Sequence, residues 1–340
     1  MEWNISKLQT LRQCHRKFYF AYEIARHEFT FPYRRKAYEL SKMKTLKMWQ
    51  GSVIDAVVTT EIVPMYQTGQ VPDFQKIAQD AVAAAKRQFS FSENRYYHRP
   101  DISKGEAAGD WLILDIHEYN FPYQPQDVEA VYHRIQEIIL AFPNYPSPDP
   151  DQTLHDYLTT AKYLRPDARQ MKYEYGGVSI KPQIDLVRYL GKSIHVIDWK
   201  VAERDNVDYS RQLILGGIVA LHFAKNWYKK KGWTPVPGLE DVKLIEINLM
   251  NGNLKEHPFT ATSTAAALDY VYTYSDEQEQ LSQDKTWKDL DIEDYGRTNK
   301  PETCAICKFK ALCKHIILNN LNYDEDNYVK LVQHNELAGA

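Results

Sequence analysis

The most constraining feature of this sequence is the stretch Gly176–Gln212, because it predicts a tight β-hairpin followed by a helix. Residues 184–189 and 193–198 form two short runs that are rich in β-branched and aromatic side chains, as strands are. Between the runs stand Gly191 and Lys192, and a glycine followed by another residue suits a two-residue II′ turn. The stretch therefore predicts two antiparallel strands whose register is set by this turn.

That register brings three charged side chains to one face of the hairpin. With the turn at Gly191, Leu190 faces Ser193, and counting outward places Asp185 opposite Asp198. Opposed residues share a sheet face, with Cβ atoms about 5 Å apart. Lys200 lies two residues beyond Asp198, so the strand period returns it to the same face.

Two adjacent carboxylates repel each other unless a positive charge lies between them. A hard divalent cation with oxygen ligands, Mg²⁺ or Mn²⁺, would meet that need. Metal-assisted phosphodiester hydrolysis uses this set, because the metal activates a water while a lysine orients it or stabilises the transition state. The alternative is a surface hairpin that carries an ordinary Asp–Lys ion pair.

The pattern Asp185, then Asp198-Trp199-Lys200, then Gln212 resembles the PD-(D/E)XK nuclease superfamily in its RecB-like branch. The resemblance implies an α/β fold: a restriction-endonuclease-like mixed sheet flanked by helices. It also implies that Asp185, Asp198 and the carbonyl of Trp199 bind the metal. Lys200 would then position or polarise the water, and Gln212 would orient it.

Two positions depart from the pattern of that branch. Its Gly-x₃-His motif, whose His binds the metal, corresponds here to Gly51 and Asp55. Aspartate also binds Mg²⁺ or Mn²⁺, so Asp55 is a candidate ligand; the alternative is an acidic residue that faces the helix dipole. Its Gln-x₃-Tyr motif has Gly216 at the Tyr position, and Gly216-Gly217 suggests a close backbone approach.

The chain has 4 Cys, and their spacing is typical of metal ligands rather than disulfides. Cys304, Cys307 and Cys313 cluster near the C-terminus, and Cys14 lies near the N-terminus. Four thiolates can hold a zinc ion or an iron–sulfur cluster, and spacing alone does not separate the two.

This arrangement resembles the iron–sulfur staple of one RecB-like subgroup, which includes the CRISPR-adaptation exonucleases and the AddB-type nuclease domains. The resemblance implies a [4Fe–4S] cluster, with zinc as the alternative. The cluster would be held by Cys14 together with the ligands in 304–313, and would join the N- and C-terminal regions of the chain.

Composition limits the possible partners. The formal net charge is −3, so a nucleic-acid surface requires local clustering of basic residues. Residues 21–50 show such clustering, with interleaved aromatic side chains that suit single strands. The alternative is a solvated helical face. No apolar run approaches the length of a membrane span, and no signal pattern opens the sequence, so a cytoplasmic location is expected.

The predicted organisation is a single nuclease domain over 1–340 with a helical insertion at 66–170. Amphipathic patterns predict helices at 77–89, 127–142 and 154–164 within that insertion. The expected function is a Mg²⁺- or Mn²⁺-dependent deoxyribonuclease, acting as an exonuclease or end-trimming enzyme on DNA with single-stranded character. The resemblance implies antiviral defence or recombination, with possible protein partners. The alternative is a catalytically impaired DNA-binding or scaffold subunit.

Overall fold

The computed structural model describes residues 2–3, 5–161, 163–165, 170–202, 208–282 and 285–313. The chain divides into two compact units. The first unit comprises residues 1–5, 50–83 and 130–275, and the second comprises 6–49, 84–129 and 276–340. The predicted insertion at 66–170 is therefore shared between both units.

All the strands of the described residues belong to the first unit. A three-stranded sheet has the order β1-β4-β3, and a five-stranded sheet has the order β2-β5-β6-β7-β8. In the larger sheet β6 and β7 run parallel, while the other neighbours are antiparallel. The strands are β1 Glu2–Trp3, β2 Tyr163–Arg165, β3 Tyr173–Tyr175, β4 Val178–Ile180, β5 Leu186–Leu190, β6 Ser193–Lys200, β7 Val242–Asn248 and β8 Asn253–His257.

Helices make up most of the remaining regular structure. They are α1 Ile5–Gln13, α2 His15–Phe18, α3 Pro32–Lys42, α4 Leu46–Val57, α5 Val63–Gln67, α6 Phe74–Glu93, α7 Asp115–Glu118, α8 Pro125–Ala141, α9 Leu154–Thr159, α10 Ser210–Lys231, α11 Ala261–Ser282 and α12 Pro301–Ala305. Two π-helical turns, Tyr19–Ile24 and Val58–Ile62, continue α2 and α4. The predicted mixed α/β architecture, with a sheet flanked by helices, is confirmed.

The centre of the first unit is the parallel pair β6–β7. Most of its side chains are buried on both faces, as in sheets that are covered on each side. Helix α10 packs closely on this pair, through Gly216 against Val196 of β6 and Gly217 against Leu244 of β7. Helix α10 therefore begins beside the C-terminal end of β6, where the charged residues lie.

One helix prediction in the insertion is wrong for the C-terminal part of its range. The pattern at 154–164 predicted a helix throughout, but α9 stops at Thr159 and Tyr163–Arg165 forms β2. Strand β2 pairs antiparallel with β5, with Leu164 opposite Arg188. Pairing with a sheet edge satisfies the backbone groups of this segment, and that outweighs the helical periodicity of its side chains.

The second unit has its own aromatic core, which joins distant parts of the sequence. Phe20 stacks on Phe309 with ring centroids 5.5 Å apart. Tyr19 and Tyr295 lie 4.9 Å apart by the same measure. The buried Arg16 donates from its backbone N–H to the carbonyl of Gly296 at 3.2 Å. Segments near both ends of the described chain are therefore packed together in this unit.

None of the helices in the described residues is both long enough and apolar enough to cross a membrane.

Candidate active site

The hairpin has the predicted register. Leu190 pairs with Ser193, and Leu186 pairs with Ile197. Gly191 has a φ of 58°, as the first central residue of a II′ turn requires. Asp185 precedes β5 by one residue, so the same register sets it beside Asp198 on β6.

The two aspartates are buried next to each other. Their exposed fractions are 6% for Asp185 and 2% for Asp198. Asp185 accepts a hydrogen bond from the backbone N–H of Trp199 through Oδ2 at 2.9 Å, which holds its carboxylate at the end of β6. This pair is suited to a divalent cation, because the cation would offset the charges that burial makes costly.

Lys200 lies on the same face, as predicted, and its ammonium pairs with Asp198 Oδ2. Burial raises the pKa of the Asp198 carboxyl, and Glu246 adds to this, although Lys200 and Asp185 oppose it. Burial disfavours the charged form of Lys200, but Asp198 and Asp185 raise the pKa of the ammonium above its usual value. Lys200 therefore stays a cation, positioned by the carboxylate that would hold a metal.

Gln212 reaches the site from the first turn of α10. Its Nε2 donates to Asp198 Oδ1 at 3.2 Å and to the carbonyl of Gln183 at 3.4 Å. Tyr209 directly precedes the same helix, and the centroid of its ring lies 4.1 Å from Lys200 Nζ. The structure thus brings together Asp185, Asp198, Lys200 and Gln212.

Trp199 points away from these charges, as strand alternation requires. Its side chain is 5% exposed and packs on Phe142 with ring centroids 5.7 Å apart. The carbonyl of Trp199 as a metal ligand stays a prediction.

Asp55 lies on α4, one helical turn after Gly51. A Cβ atom added to Gly51 would lie 3.5 Å from Val201 Cβ, so Gly51 packs beside the residue that follows β6. Asp55 lies one turn later and shares this face of α4. Thr59 donates to Asp55 Oδ1 at 3.4 Å. Within the described residues, however, no three-ligand set with atoms inside 4.8 Å includes Asp55, Asp185 and Asp198. Asp55 as a third ligand stays a prediction.

The sequence interpretation missed a further carboxylate. Glu246 on β7 is the parallel neighbour of Asp198 and is 6% exposed. His257 on β8 lies with Nε2 2.9 Å from Glu246 Oε2. A signal was present, because Glu246 interrupts an apolar run, but the parallel pairing of β6 with β7 is a contact between distant segments.

The glycine pair of α10 has a packing role. A Cβ atom on Gly216 would lie 2.9 Å from Ile184 Cγ1 and 3.2 Å from Val196 Cγ1. A Cβ atom on Gly217 would lie 2.8 Å from Leu244 Cδ2. These distances are too short for a side chain, so the helix approaches the sheet closely here. Gly216 therefore reflects close packing rather than simple loss of a site residue.

The four cysteines do not form a compact ligand set. All are free thiols, and no three sulfur atoms of the described chain lie within 4.8 Å of one another. Zn–S bonds of about 2.3 Å would bring tetrahedral sulfurs closer than this. Cys14 nevertheless lies near Cys307 and Cys313, so the predicted N- and C-terminal positions are neighbours in the second unit. The zinc alternative is therefore not supported by these positions. They do not support the iron–sulfur staple either, but a cluster would hold each thiolate on a different iron atom and so farther apart, and the staple stays a prediction.

The second unit also contains a cluster of two carboxylates and an imidazole that the sequence interpretation did not identify. Glu39, His98 and Glu118 offer ligand atoms within 4.8 Å of one another. Arg35 Nε already donates to Glu39 Oε1 at 2.8 Å, and Lys36 pairs with Glu118. These cations occupy the place of a metal ion, so the cluster is an ionic link between α3, α7 and the turn at 96–98.

Replacing His98 with glutamine should weaken this link in a pH-dependent way. Burial opposes protonation of His98, but hydrogen bonds to Glu118 and Glu39 raise its pKa to about 9. Protonated His98 therefore stabilises the folded chain fully below about pH 6.5, the pKa of a histidine in the unfolded chain. This stabilisation is lost as the pH rises through about 9, the pKa of His98 in the folded chain. Because the imidazole is partly exposed, we expect a loss of about 1–2 kcal/mol in the free energy of unfolding at pH 6.

The measurement is urea unfolding of wild type and His98→Gln between pH 6 and 10, with the exposed His133→Gln as control. The difference for His98→Gln should shrink towards the alkaline end, and His133→Gln should show little difference at any pH. A constant difference across the range would contradict the ionic assignment.

A profile of the PD-(D/E)XK nuclease superfamily matches residues 2–314. The match includes the hairpin, Gln212 and all four cysteines. No curated protein matches the chain at a significant level. Because the match covers nearly the whole sequence, the chain belongs to the PD-(D/E)XK nuclease superfamily, whose members are generally nucleases that use divalent metals.

Proposed function

We propose that this chain is a Mg²⁺- or Mn²⁺-dependent deoxyribonuclease of the RecB-like branch that trims DNA ends with single-stranded character. The observation that carries the proposal is the set of Asp185, Asp198 and Lys200 on one face of a hairpin with confirmed register. The family match supports nuclease chemistry, and the resemblance described above supports the branch, the cytoplasmic location and a role in defence or recombination.

Each residue of the site has a role in this proposal. A bound divalent ion would supply charge neutralisation at the scissile phosphate and a more acidic water. Asp185 and Asp198 would hold it, with Asp55 and the Trp199 carbonyl as further ligands. Lys200 would hold the attacking water and stabilise charge that develops on the phosphate oxygens. Gln212 would keep the Asp198 carboxylate in position.

In the reaction, the water oxygen would form a bond to phosphorus while the bond from phosphorus to the leaving deoxyribose oxygen breaks. The water would give up one proton to solvent, and the leaving oxygen would take one proton from solvent. Neither step changes an oxidation state.

The alternative is a DNA-binding or scaffold subunit that has lost catalysis. Asp55 in place of the family's His favours this alternative. Gly216 supports it less, since the close contacts of that residue with Ile184 and Val196 give it a structural reason.

Cleavage of end-labelled single- and double-stranded DNA by anaerobically purified protein tests the proposal. We expect cutting with Mn²⁺ or Mg²⁺, none with EDTA, and a product ladder that identifies the end attacked. DNA binding without cutting under every metal would contradict the proposal and favour the scaffold alternative.

The [4Fe–4S] cluster is a separate prediction that rests on the resemblance alone. Iron analysis and visible absorption of the same anaerobic preparation test it. Stoichiometric iron with broad visible absorption would support a cluster, and colourless, iron-free protein would contradict it.

A further inference from the structure

The second unit contains a cavity of about 790 Å³, within the range of about 300–1,000 Å³ that is usual for ligand sites. Its lining comes from four segments of that unit, within residues 10–22, 41–48, 115–121 and 305–311. We propose that this cavity binds a short segment of single-stranded DNA, with lysines on its phosphates and aromatic rings on its bases. The proposal deepens the proposed function, because it names a second place where the substrate is held.

The lining is strongly positive. It includes five lysines and, among the described residues, Asp115 as the one acidic side chain: the lysines are Lys17, Lys42, Lys44, Lys308 and Lys310. No described carboxylate forms an ion pair with Lys42, Lys308 or Lys310. Like charges gathered without counter-charges repel one another, so an anionic ligand would relieve that repulsion.

Lys308 shows this lack of counter-charge most directly. Its half-buried ammonium donates to the carbonyl of Ser41, which carries no charge. A phosphate in the cavity would give this ammonium an anionic partner.

Aromatic rings line the same cavity and distinguish a nucleotide from a simple anion. The hydroxyl of Tyr119 donates to the carbonyl of Lys308 at 2.6 Å, which fixes its ring beside the lysines. Phe121 lies next to Tyr119, with ring centroids 5.4 Å apart, and is 48% exposed. Tyr22 contributes a third ring. Stacking on such rings strengthens binding by about 5- to 150-fold per base.

A single strand fits these features better than a duplex or an acidic peptide. The bases of a duplex are already stacked and paired, so they are not free to lie on Phe121. An acidic peptide would satisfy the lysines but would leave the exposed rings without planar partners. A flexible single strand presents both phosphates and free bases.

The test is fluorescence anisotropy with a labelled oligothymidine in EDTA, which prevents cleavage. The variant Lys42→Glu/Lys310→Glu changes two exposed lysines of the cavity. The control Lys76→Glu/Lys243→Glu makes the same charge change at two exposed lysines of the first unit. We expect Kd to rise at least tenfold in the cavity variant only. The slope of log Kd against log salt should fall by roughly 1.4, at about 0.7 per phosphate.

A second comparison tests the aromatic part. Phe121→Ala should weaken binding of oligothymidine by at least fivefold and leave an abasic oligonucleotide of equal length unaffected. Melting temperatures identify variants that have lost their fold. Equal Kd for the cavity and control variants, or equal loss for both oligonucleotides in Phe121→Ala, would overturn the DNA assignment.

These results can be separated from the nuclease proposal. If the chain fails to cut DNA with any metal but the cavity variant binds less tightly, only the nuclease proposal is contradicted. If the chain cuts DNA and the cavity variant binds and cuts like the control, only the cavity proposal is contradicted.

Discussion

Lys200→Ala should reduce metal-dependent DNA cleavage by about 10²–10³-fold, the effect of removing one preorganised charge from a transition state. Lys200 pairs with Asp198, so its ammonium is held beside the carboxylate that would bind the metal. Single-turnover cleavage with saturating Mn²⁺ measures the loss, since product release is then excluded. The loss should appear in the rate of the chemical step and leave the Kd for DNA nearly unchanged.

Lys192→Ala is the matched control, because Lys192 lies in the turn of the same hairpin. Lys192 pairs with Asp241 at 3.1 Å and with neither Asp185 nor Asp198. The cleavage rate of Lys192→Ala should stay within about a factor of two of the wild-type rate, as expected for loss of a surface ion pair. If Lys200→Ala and Lys192→Ala cleave equally fast, the role assigned to Lys200 is wrong.

Lys200→Ala also leaves the buried Asp198 without its cation. Removing one partner of a buried pair costs about 3–5 kcal/mol when the remaining charge is uncompensated. Mn²⁺ should recover part of that loss, because the ion would take the place of the ammonium beside Asp198. Thermal unfolding with and without Mn²⁺ therefore separates a folding defect from a catalytic one.

Gly216→Tyr should destabilise the protein, although it restores the residue that the related nuclease motif carries. The position of a Cβ atom here already meets Ile184 and Val196 at 2.9–3.2 Å. Overpacking usually costs about 1–3 kcal/mol, and a whole phenol ring at this contact should exceed that range. Gly216→Ala should cost less, because its better helix propensity of about 1 kcal/mol offsets part of the clash.

Urea unfolding of Gly216→Tyr beside Lys229→Tyr measures this effect. Lys229 is an exposed residue of the same helix, so its replacement by tyrosine should change stability by about 0.5 kcal/mol or less. A Gly216→Tyr variant that is as stable as wild type and cleaves faster would show instead that the missing tyrosine had impaired the site.

The parts of this site that sequence could predict are those set by local rules. The turn at Gly191 fixes the register of two adjacent strands, so the meeting of Asp185 with Asp198 follows from counting. Lys200 follows from strand alternation, whereas the place of Gln212 in the site was predicted from the resemblance of its motif.

The parts that sequence could not predict depend on contacts between distant segments. Glu246 reaches Asp198 only because β7 pairs in parallel with β6, and β2 forms only because an edge of that sheet is open to it. The reason for Gly216 lies in the side chains of Ile184 and Val196. Cysteine spacing likewise predicted ligands, but spacing along the chain does not determine the distances between sulfur atoms.

Mn²⁺ binding followed by electron paramagnetic resonance, in the absence of DNA, tests the central claim most directly. The paired-aspartate site predicts that wild type binds Mn²⁺ and that Asp185→Asn and Asp198→Asn each weaken binding at least tenfold. His98→Gln provides the comparison, because Glu39, His98 and Glu118 form a separate group of three possible ligands in the second unit. Binding that survives both aspartate changes and is lost in His98→Gln would place the ion in the second unit and contradict the assignment of Asp185 and Asp198 as the metal site.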